Sequence, residues 1–508
     1  MDISCFPNEV LCHIFDFLSW SDRRNTSLVS RQWYAINNSD RYLRQTKLVL
    51  YNYSKVQFFS GVAASLLRTQ RNIEFHSSAM LDTEQLLSAM EEALPSGESA
   101  VESVDLFLRS NHEQVSCLVI QNLPRLKQLK SLSILANEGF KTFQNRLEIR
   151  NDTLETLKLS FYRNTTCYVR TPKLRCLNIV IRHLNDITVL NAVCQQLSEL
   201  IITFQSKDLV TKLFLCNFKN LTKLNLCIEN DKYLPYTVAP SVLSWQEIQT
   251  FLDSIKGLKT LEIVDKCNIL RHNYLNVFVC AEALTHLTIN YTTVDANMVE
   301  FISQFKNLRM LNLQGCSTGG DPISINLPKL QTLLMPYKHY SNLPCTNLQH
   351  LTTLHYSSSQ KNHSQFIHQI TSTFTSLKNL IFSNFDYELS YDSFQFLDRL
   401  PRLESLTIRD MSVSSQLFCN CPVLTALRKL TVKTIVTEIS LIECFPDKIP
   451  HLYKLNIDNC FFYIFSRDST KEPFTFDILR RHMPRTRIST IASKVFTNTM
   501  EPKVITND

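Results

Sequence analysis

One spacing, Leu-x-x-Leu-x-apolar, returns from Leu129 to Ile457 and constrains the fold more than any other feature of the 508 residues. The first copies are Leu129/Leu132/Ile134, Leu154/Leu157/Leu159, Leu174/Leu177/Ile179, Leu197/Leu200/Ile202 and Leu221/Leu224/Leu226. Then follow Leu258/Leu261/Ile263, Leu284/Leu287/Ile289, Leu308/Leu311/Leu313, Leu330/Leu333/Met335 and a blurred copy at Leu348/Leu351/Leu354. Leu377/Leu380/Phe382, Leu403/Leu406/Ile408, Leu427/Leu430/Val432 and Leu452/Leu455/Ile457 complete the series. In each copy the last two apolar positions, such as Leu157 and Leu159, share one strand face, and the residue between them, Lys158, takes the other. A unit this short cannot cover its own apolar face, so neighbours must stack and bury it for one another.

This spacing resembles the leucine-rich repeat, whose unit holds one short strand. The resemblance implies an α/β solenoid: a curved parallel sheet with a mixed helical and extended convex side. Family members place Asn or Cys five residues after the middle leucine, where Asn137, Cys316 and Cys460 stand here; Tyr162, Glu229, Lys266 and Phe385 replace it in other copies. The regular step breaks between Leu224 and Leu261, where Pro235 and Pro240 interrupt the chain before Trp245, Ile248, Phe251 and Leu252 fall at helical spacing. Two readings of that break stay open, a tolerated insertion and a loop folded over the concave face.

Upstream, Asn72 to Phe75 and Val101 to Leu106 keep strand alternation, with helix formers from Asp82 to Met90 between them. Residues 49–128 are therefore read as degenerate early repeats, and 129–490 as the solenoid with its cap. The cap is a helix from Phe474 to Met483 and a last strand through Thr486 and Ile488; residues 491–508 are expected to form a flexible tail.

Composition narrows the chemistry. Only 7 glycines occur, and no GxGxxG or GxxxxGK[S/T] can be assembled from them, so a phosphate cradle is not expected. The 13 histidines form neither HExxH nor another recognisable constellation, and Cys419-Asn-Cys421 lacks the second pair that a zinc site needs. No catalytic residue, metal or cofactor is expected. The 16 cysteines are scattered, and the start MDISCFPNEV lacks the blocks of a signal peptide, so reduced thiols and a cytoplasmic or nuclear location are expected. No apolar run is long enough to cross a bilayer. The net charge of +7 is small for this length, and Arg480, Arg481, Arg485 and Arg487 read as a solvated helix end.

The outward residue at the centre of each strand runs Ser133, Lys158, Asn178, Ile201, Asn225, Glu262, Thr288, Asn312, Leu334, Thr352, Ile381, Thr407, Thr431 and Asn456. That spine is mostly neutral and polar, which suits a protein ligand better than nucleic acid. Lys158, Asn178, Asn225, Glu262, Thr288, Met310, Asn312 and Leu334 are the candidate substrate-binding residues. The apolar stretch at Met310, Leu334 and Pro336 lies beside Gly315, Gly319 and Gly320.

Before the repeats, Leu11, Ile14, Phe15 and Leu18 lie at i, i+3, i+4 and i+7 on a helix that follows Pro7, with Glu9 in its first turn. A second short helix starts near Ser21 and a third spans Ser30 to Asn37. Phe6, Leu11, Phe15, Val29 and Trp33 carry more apolar surface than three short helices bury, so the element must dock on its neighbour or on a partner. The order Phe6-Pro7-x-Glu9-Val10-Leu11-x-x-Ile14-Phe15-x-x-Leu18, then Asp22-Arg23 and Ser27 to Trp33, resembles an F-box, with Phe6 where Leu is usual and Ser30 where Cys is common.

The resemblance spans residues 1–48 and, with the repeats, points to the F-box/leucine-rich-repeat class. It implies that Phe6, Pro7, Leu11, Ile14, Phe15, Leu18, Leu28, Val29 and Trp33 build or line a surface for the Skp-type adaptor of a Skp–cullin–F-box ubiquitin ligase. The repeats would then select a protein substrate, with no nucleic acid, membrane or homo-oligomer involved. The competing reading is a non-catalytic scaffold or inhibitor with a vestigial F-box.

Overall fold

The structure is a computed structural model. It describes residues 6–43, 47–51, 71–76, 101–108, 120–136, 147–160, 167–183, 186–205, 207–213, 216–229, 245–266, 282–291, 293–294, 296–314, 316–318, 326–336, 348, 350–357, 363–383, 389, 393–414, 416–438, 440–464, 480–481, 483–491, 494–497 and 502–504. The chain forms two compact units, Met1–Ala239 and Pro240–Asp508, divided within the break in the repeat spacing.

The first unit opens with four short helices: α1 (Asn8–Phe15), α2 (Trp20–Thr26), α3 (Arg31–Asn37) and α4 (Asp40–Leu43). Local sequence explains the starts. Ser19 accepts a hydrogen bond from the Asp22 backbone N–H at 3.2 Å, and Ser30 one from the Trp33 N–H at 3.1 Å, each satisfying a donor that a helix leaves free at its N-terminus. The strands that follow are β1 (Lys47–Tyr51), β2 (Asn72–His76), β3 (Ser103–Leu108), β4 (Ser131–Ala136), β5 (Leu147–Arg150), β6 (Thr156–Ser160), β7 (Cys167–Arg170), β8 (Cys176–Ile181), β9 (Glu199–Phe204) and β10 (Lys223–Ile228).

β1, β2, β3, β4, β6, β8, β9 and β10 pair in that order, all parallel. The early strands at Asn72 and Ser103 are thus true members of the sheet, and β1 adds one that period reading alone did not find. β5 and β7 pair separately, an extended convex segment, whereas Ile187–Val193 and Lys207–Leu213 are helical, so the convex side is mixed.

The second unit contains β11 (Thr260–Asp265), β12 (His286–Asn290), β13 (Thr293–Val294), β14 (Met310–Asn312), β15 (Ser317–Thr318), β16 (Thr332–Pro336), β17 (Thr353–Ser357), β18 (Asn379–Ser383), β19 (Ser405–Ser412), β20 (Lys429–Glu438), β21 (Lys454–Asp458), β22 (Phe461–Ile464), β23 (Arg487–Ile491), β24 (Lys494–Thr497) and β25 (Pro502–Val504). Its main parallel ladder runs β11, β12, β14, β16, β17, β18, β19, β20, β21, β23. The helix Trp245–Ser254 forms where the spacing predicts it, burying Phe251 and Leu252.

The middle leucines stack into one buried column in each unit, from Leu132 to Leu224 and from Leu261 to Leu455, each 0–1% exposed. A leucine so enclosed contributes about 1.5–3 kcal/mol. Register corrects one copy: Leu333 pairs with Leu354, and Leu354 with Leu380, so the triad is Leu351/Leu354/Tyr356 and the outward residue is His355, not Thr352. Leucines at 348, 351 and 354 fit two frames equally well, and stacking with the neighbours selects the second.

After the strand core the chain turns sharply. Tyr291, Asp410, Thr434 and Asn459 have φ of 64°, 57°, 52° and 51°, and each lies four residues after its middle leucine. This left-handed corner resets the alternation, so that residues five and seven places on, such as Cys460 and Phe462 after Leu455, point inward again. The buried slot five residues after the middle leucine holds Cys316 and Cys460, whose thiols donate to the carbonyls of Ile289 at 3.0 Å and Val432 at 3.4 Å, as the family pattern implies. A line of buried rings crosses three repeats: Phe382–Phe394, Phe394–Phe418 and Phe418–Phe445 centroids lie 5.7, 5.4 and 5.0 Å apart.

Three expectations are corrected. Cys419 and Cys444 form a disulfide between adjacent convex turns, so the thiols are not all reduced; nine other described cysteines are free. Arg487 begins β23 instead of ending a helix. Part of the expected tail is ordered, since β22 pairs with β24 and β25 folds back antiparallel on β24. The Asp82–Met90 helix, Asn137, Tyr162, the stretch 230–244, Gly315, Gly319, Gly320, Phe385 and most of the Phe474–Met483 helix lie outside the described residues.

Candidate functional site

The helical element is held by its own small core. Leu11, Phe15, Ile36 and Tyr42 are buried, with Phe6, Cys12, Leu18 and Trp33 packed around them. Two side-chain amides lock the helices together: Asn37 Nδ2 donates to the Arg23 carbonyl and to Thr26 Oγ1, both at 3.0 Å, and Gln32 Nε2 donates to Asn8 Oδ1 at 3.0 Å. The Tyr42 hydroxyl donates to the Cys12 carbonyl at 2.7 Å; burial, and next the Asp16 carboxylate, push its pKa up to about 12.

The nine residues predicted to build or line an adaptor surface therefore separate. Leu11 and Phe15, 0% and 1% exposed, build the core and touch no outside partner. Phe6, Leu18 and Trp33 are half-buried against that core. Pro7, Ile14, Leu28 and Val29 face solvent, Leu28 at 84%.

Sequence reading missed Val10, Phe17 and Tyr34, which are also exposed. On α1 and the turn after it, Leu11, Phe15 and Leu18 make one stripe, and Val10, Ile14 and Phe17 a second, offset by one residue or about 100°. A domain this small that leaves six large apolar side chains in water presents a surface built for contact.

On the repeats, the predicted substrate-binding residues fall into lateral rows. Lys158 and Asn178 are neighbours in register, and Asn178 and Asn225 flank Ile201. In the second unit Glu262, Thr288, Asn312 and Leu334 are consecutive, with Met310 one row over; all are half-buried. Next to Leu334 comes His355, only 3% exposed. Its Nε2 accepts hydrogen bonds from the Ser383 hydroxyl at 2.6 Å and the Arg409 guanidinium at 3.4 Å. Burial first, and the Arg409 charge second, lower its pKa to about 4, so the ring is neutral at pH 7.

The central spine carries Glu74 and Asp105, in register with Ser133 and Lys158, and further charge flanks it. In the first unit Lys47 bridges Glu74 at 2.5 Å and Asp105 at 2.7 Å, and those hydrogen bonds, Asp105's first, raise its pKa. In the second, the row one residue before the middle leucine ends in Lys429, Lys454 and Arg487. The central row does not contain these three cations, so reading that row alone from sequence misses them. Among the described residues no group of acidic, His and Cys side chains is arranged to hold a metal, and no helix is long and apolar enough to cross a membrane.

The comparisons bear on the helical element first. Residues 3–47 match the F-box-like family model. No curated protein matches the chain. Among solved structures, an internalin from Listeria monocytogenes aligns with 66% of this chain and 82% of its own, at 15% identity and a TM-score of 0.32. Residues 3–47 thus carry an F-box-like domain, and stacked parallel strands in register, the arrangement of a leucine-rich-repeat solenoid, follow it.

Proposed function

We propose that the chain is the substrate-recognition subunit of a Skp–cullin–F-box ubiquitin ligase, a non-catalytic adaptor acting in the cytoplasm, the nucleus or both. The observation that carries this reading is the exposed apolar set on the F-box-like domain: Pro7, Val10, Ile14, Phe17, Leu28, Val29 and Tyr34. These residues offer a Skp-type adaptor the aromatic and aliphatic anchors that dominate protein interfaces. The open face of the repeat sheets holds a protein substrate. The chain contributes proximity, raising the effective concentration of a substrate lysine near the ubiquitin-charged enzyme that partners supply.

The test is co-purification of the full-length protein with a Skp-type adaptor, followed by reconstituted ubiquitin transfer. Phe17→Asp and Leu28→Asp should weaken adaptor binding at least tenfold while circular dichroism stays unchanged, because both side chains are solvent-exposed. Wild-type protein that folds but ignores the adaptor overturns the proposal and leaves the scaffold reading.

A further inference from the structure

We infer that the last three strands of the main ladder in the second unit bind an extended, Asp/Glu-rich segment of a partner protein. Lys429, Lys454 and Arg487 are lateral neighbours in register on β20, β21 and β23, each immediately before an inward position, the buried Leu430 and Leu455 and the half-buried Ile488. Parallel strands lie about 4.8 Å apart, so three cations are held side by side on one face. Lys429 and Arg487 are exposed and Lys454 half-buried. Lys433, also exposed, adds a fourth charge two rows along, opposite Asp458.

Like charges on directly adjacent strands repel, and elsewhere this chain pairs such charges across strands. Lys47 meets Glu74 and Asp105, Lys223 meets Glu199, and Lys378 meets Glu404 at 3.5 Å. Among the described residues no ion pair engages Lys429, Lys433, Lys454 or Arg487. The repulsion is relieved by a ligand that brings negative charge at strand spacing.

Between the two charged rows lie Thr431 and Asn456, whose side chains meet at 3.4 Å and retain hydrogen-bonding capacity for a peptide backbone. Asp458, within the second row, opposes a continuous phosphate backbone, which carries a charge at every step; a peptide can place a neutral residue there. Charge complementarity therefore selects an acidic peptide over nucleic acid.

This inference rests on reading the repeat sheet as the partner-binding face. Its test uses full-length protein and fluorescence anisotropy with a labelled alternating Glu-Ser peptide and its Gln-Ser counterpart. The Glu peptide should bind at least tenfold tighter, and raising salt from about 50 to 300 mM should weaken it severalfold, since exposed charges are screened. The triple variant Lys429→Gln, Lys454→Gln, Arg487→Gln should lose at least tenfold in affinity without any fall in the thermal transition, whereas Lys130→Gln with Lys219→Gln should lose no affinity.

Equal binding of the two peptides by wild-type protein overturns the inference, whether or not the variant folds. So does a single-stranded RNA of equal length that binds tighter than the Glu peptide. Adaptor binding measured on the same preparation separates the two proposals: its loss strikes the ligase reading alone, and loss of acidic-peptide binding with the adaptor retained strikes this one alone.

Discussion

Phe15 meets Trp33 edge to face, with centroids 5.2 Å apart and planes at 72°, and this contact closes the core between α1 and α3. Both belong to the F-box pattern, yet they act by holding the domain together. Phe15→Ala should cost about 3–5 kcal/mol, the range for a buried ring. Adaptor binding and helical circular dichroism should then fall together, unlike the surface variants at Phe17 and Leu28, which lose binding alone. Retained adaptor binding by Phe15→Ala would contradict the assignment of that ring to the core.

Thr434 is a β-branched residue in the left-handed region, where a side chain costs about 1–2 kcal/mol. Thr434→Gly removes that cost and adds a chain-entropy penalty of roughly 0.5–1 kcal/mol. A net gain of several tenths of a kcal/mol is expected from urea unfolding. Asn459→Gly should gain less, because Asn tolerates the conformation better.

His355 makes the second unit acid-sensitive. Its pKa is about 4 in the folded chain against an ordinary 6.5, so the unfolded state takes up a proton first as pH falls. The stabilising contribution is intact above pH 6.5, declines between 6.5 and 4, and is gone below; it amounts to about 3 kcal/mol at most. NMR titration should find His355 unprotonated at pH 5.5, and His355→Gln should flatten this part of the pH profile. A ring that titrates near 6.5 would refute the burial argument.

The Cys419–Cys444 bond closes a loop of 25 residues. By the chain-entropy account such a crosslink stabilises by about 3 kcal/mol. Reductant should lower the transition of the second unit, and Cys419→Ser with Cys444→Ser should match the reduced wild type. Peptide mapping after thiol blocking should recover the two residues as one linked pair.

The repeat was legible because burial enforces it: a middle leucine cannot be polar when neighbours pack on both sides, so Leu157, Leu261 and Leu406 announce their positions. The copy near Leu351 was not, since three leucines three residues apart admit two frames and only pairing with Leu333 and Leu380 decides. On α1, periodicity shows an apolar stripe through Leu11 and Phe15 but not that Val10, Ile14 and Phe17 form a second one turned to solvent. Which stripe is buried depends on Ile36 and Tyr42, far along the chain. Cys444 likewise meets Cys419 through the stacking of two repeats, a relation that no local spacing announces. The cation row escaped because Lys429, Lys454 and Arg487 become neighbours only once the strands are in register.

The left-handed corner has a consequence for what this chain tolerates in length. From Leu430 to Thr434, and from Leu455 to Asn459, the interval is always four residues, and the corner then resets which side chains face inward. A single deletion inside that interval would turn Ile435 or Cys460 outward and leave the slot beneath the corner empty, whereas the same deletion in a convex turn shifts no face. In the repeats that carry this corner, natural and engineered length changes should therefore accumulate on the convex segments, with the stretch from middle leucine to corner acting as a shared ruler.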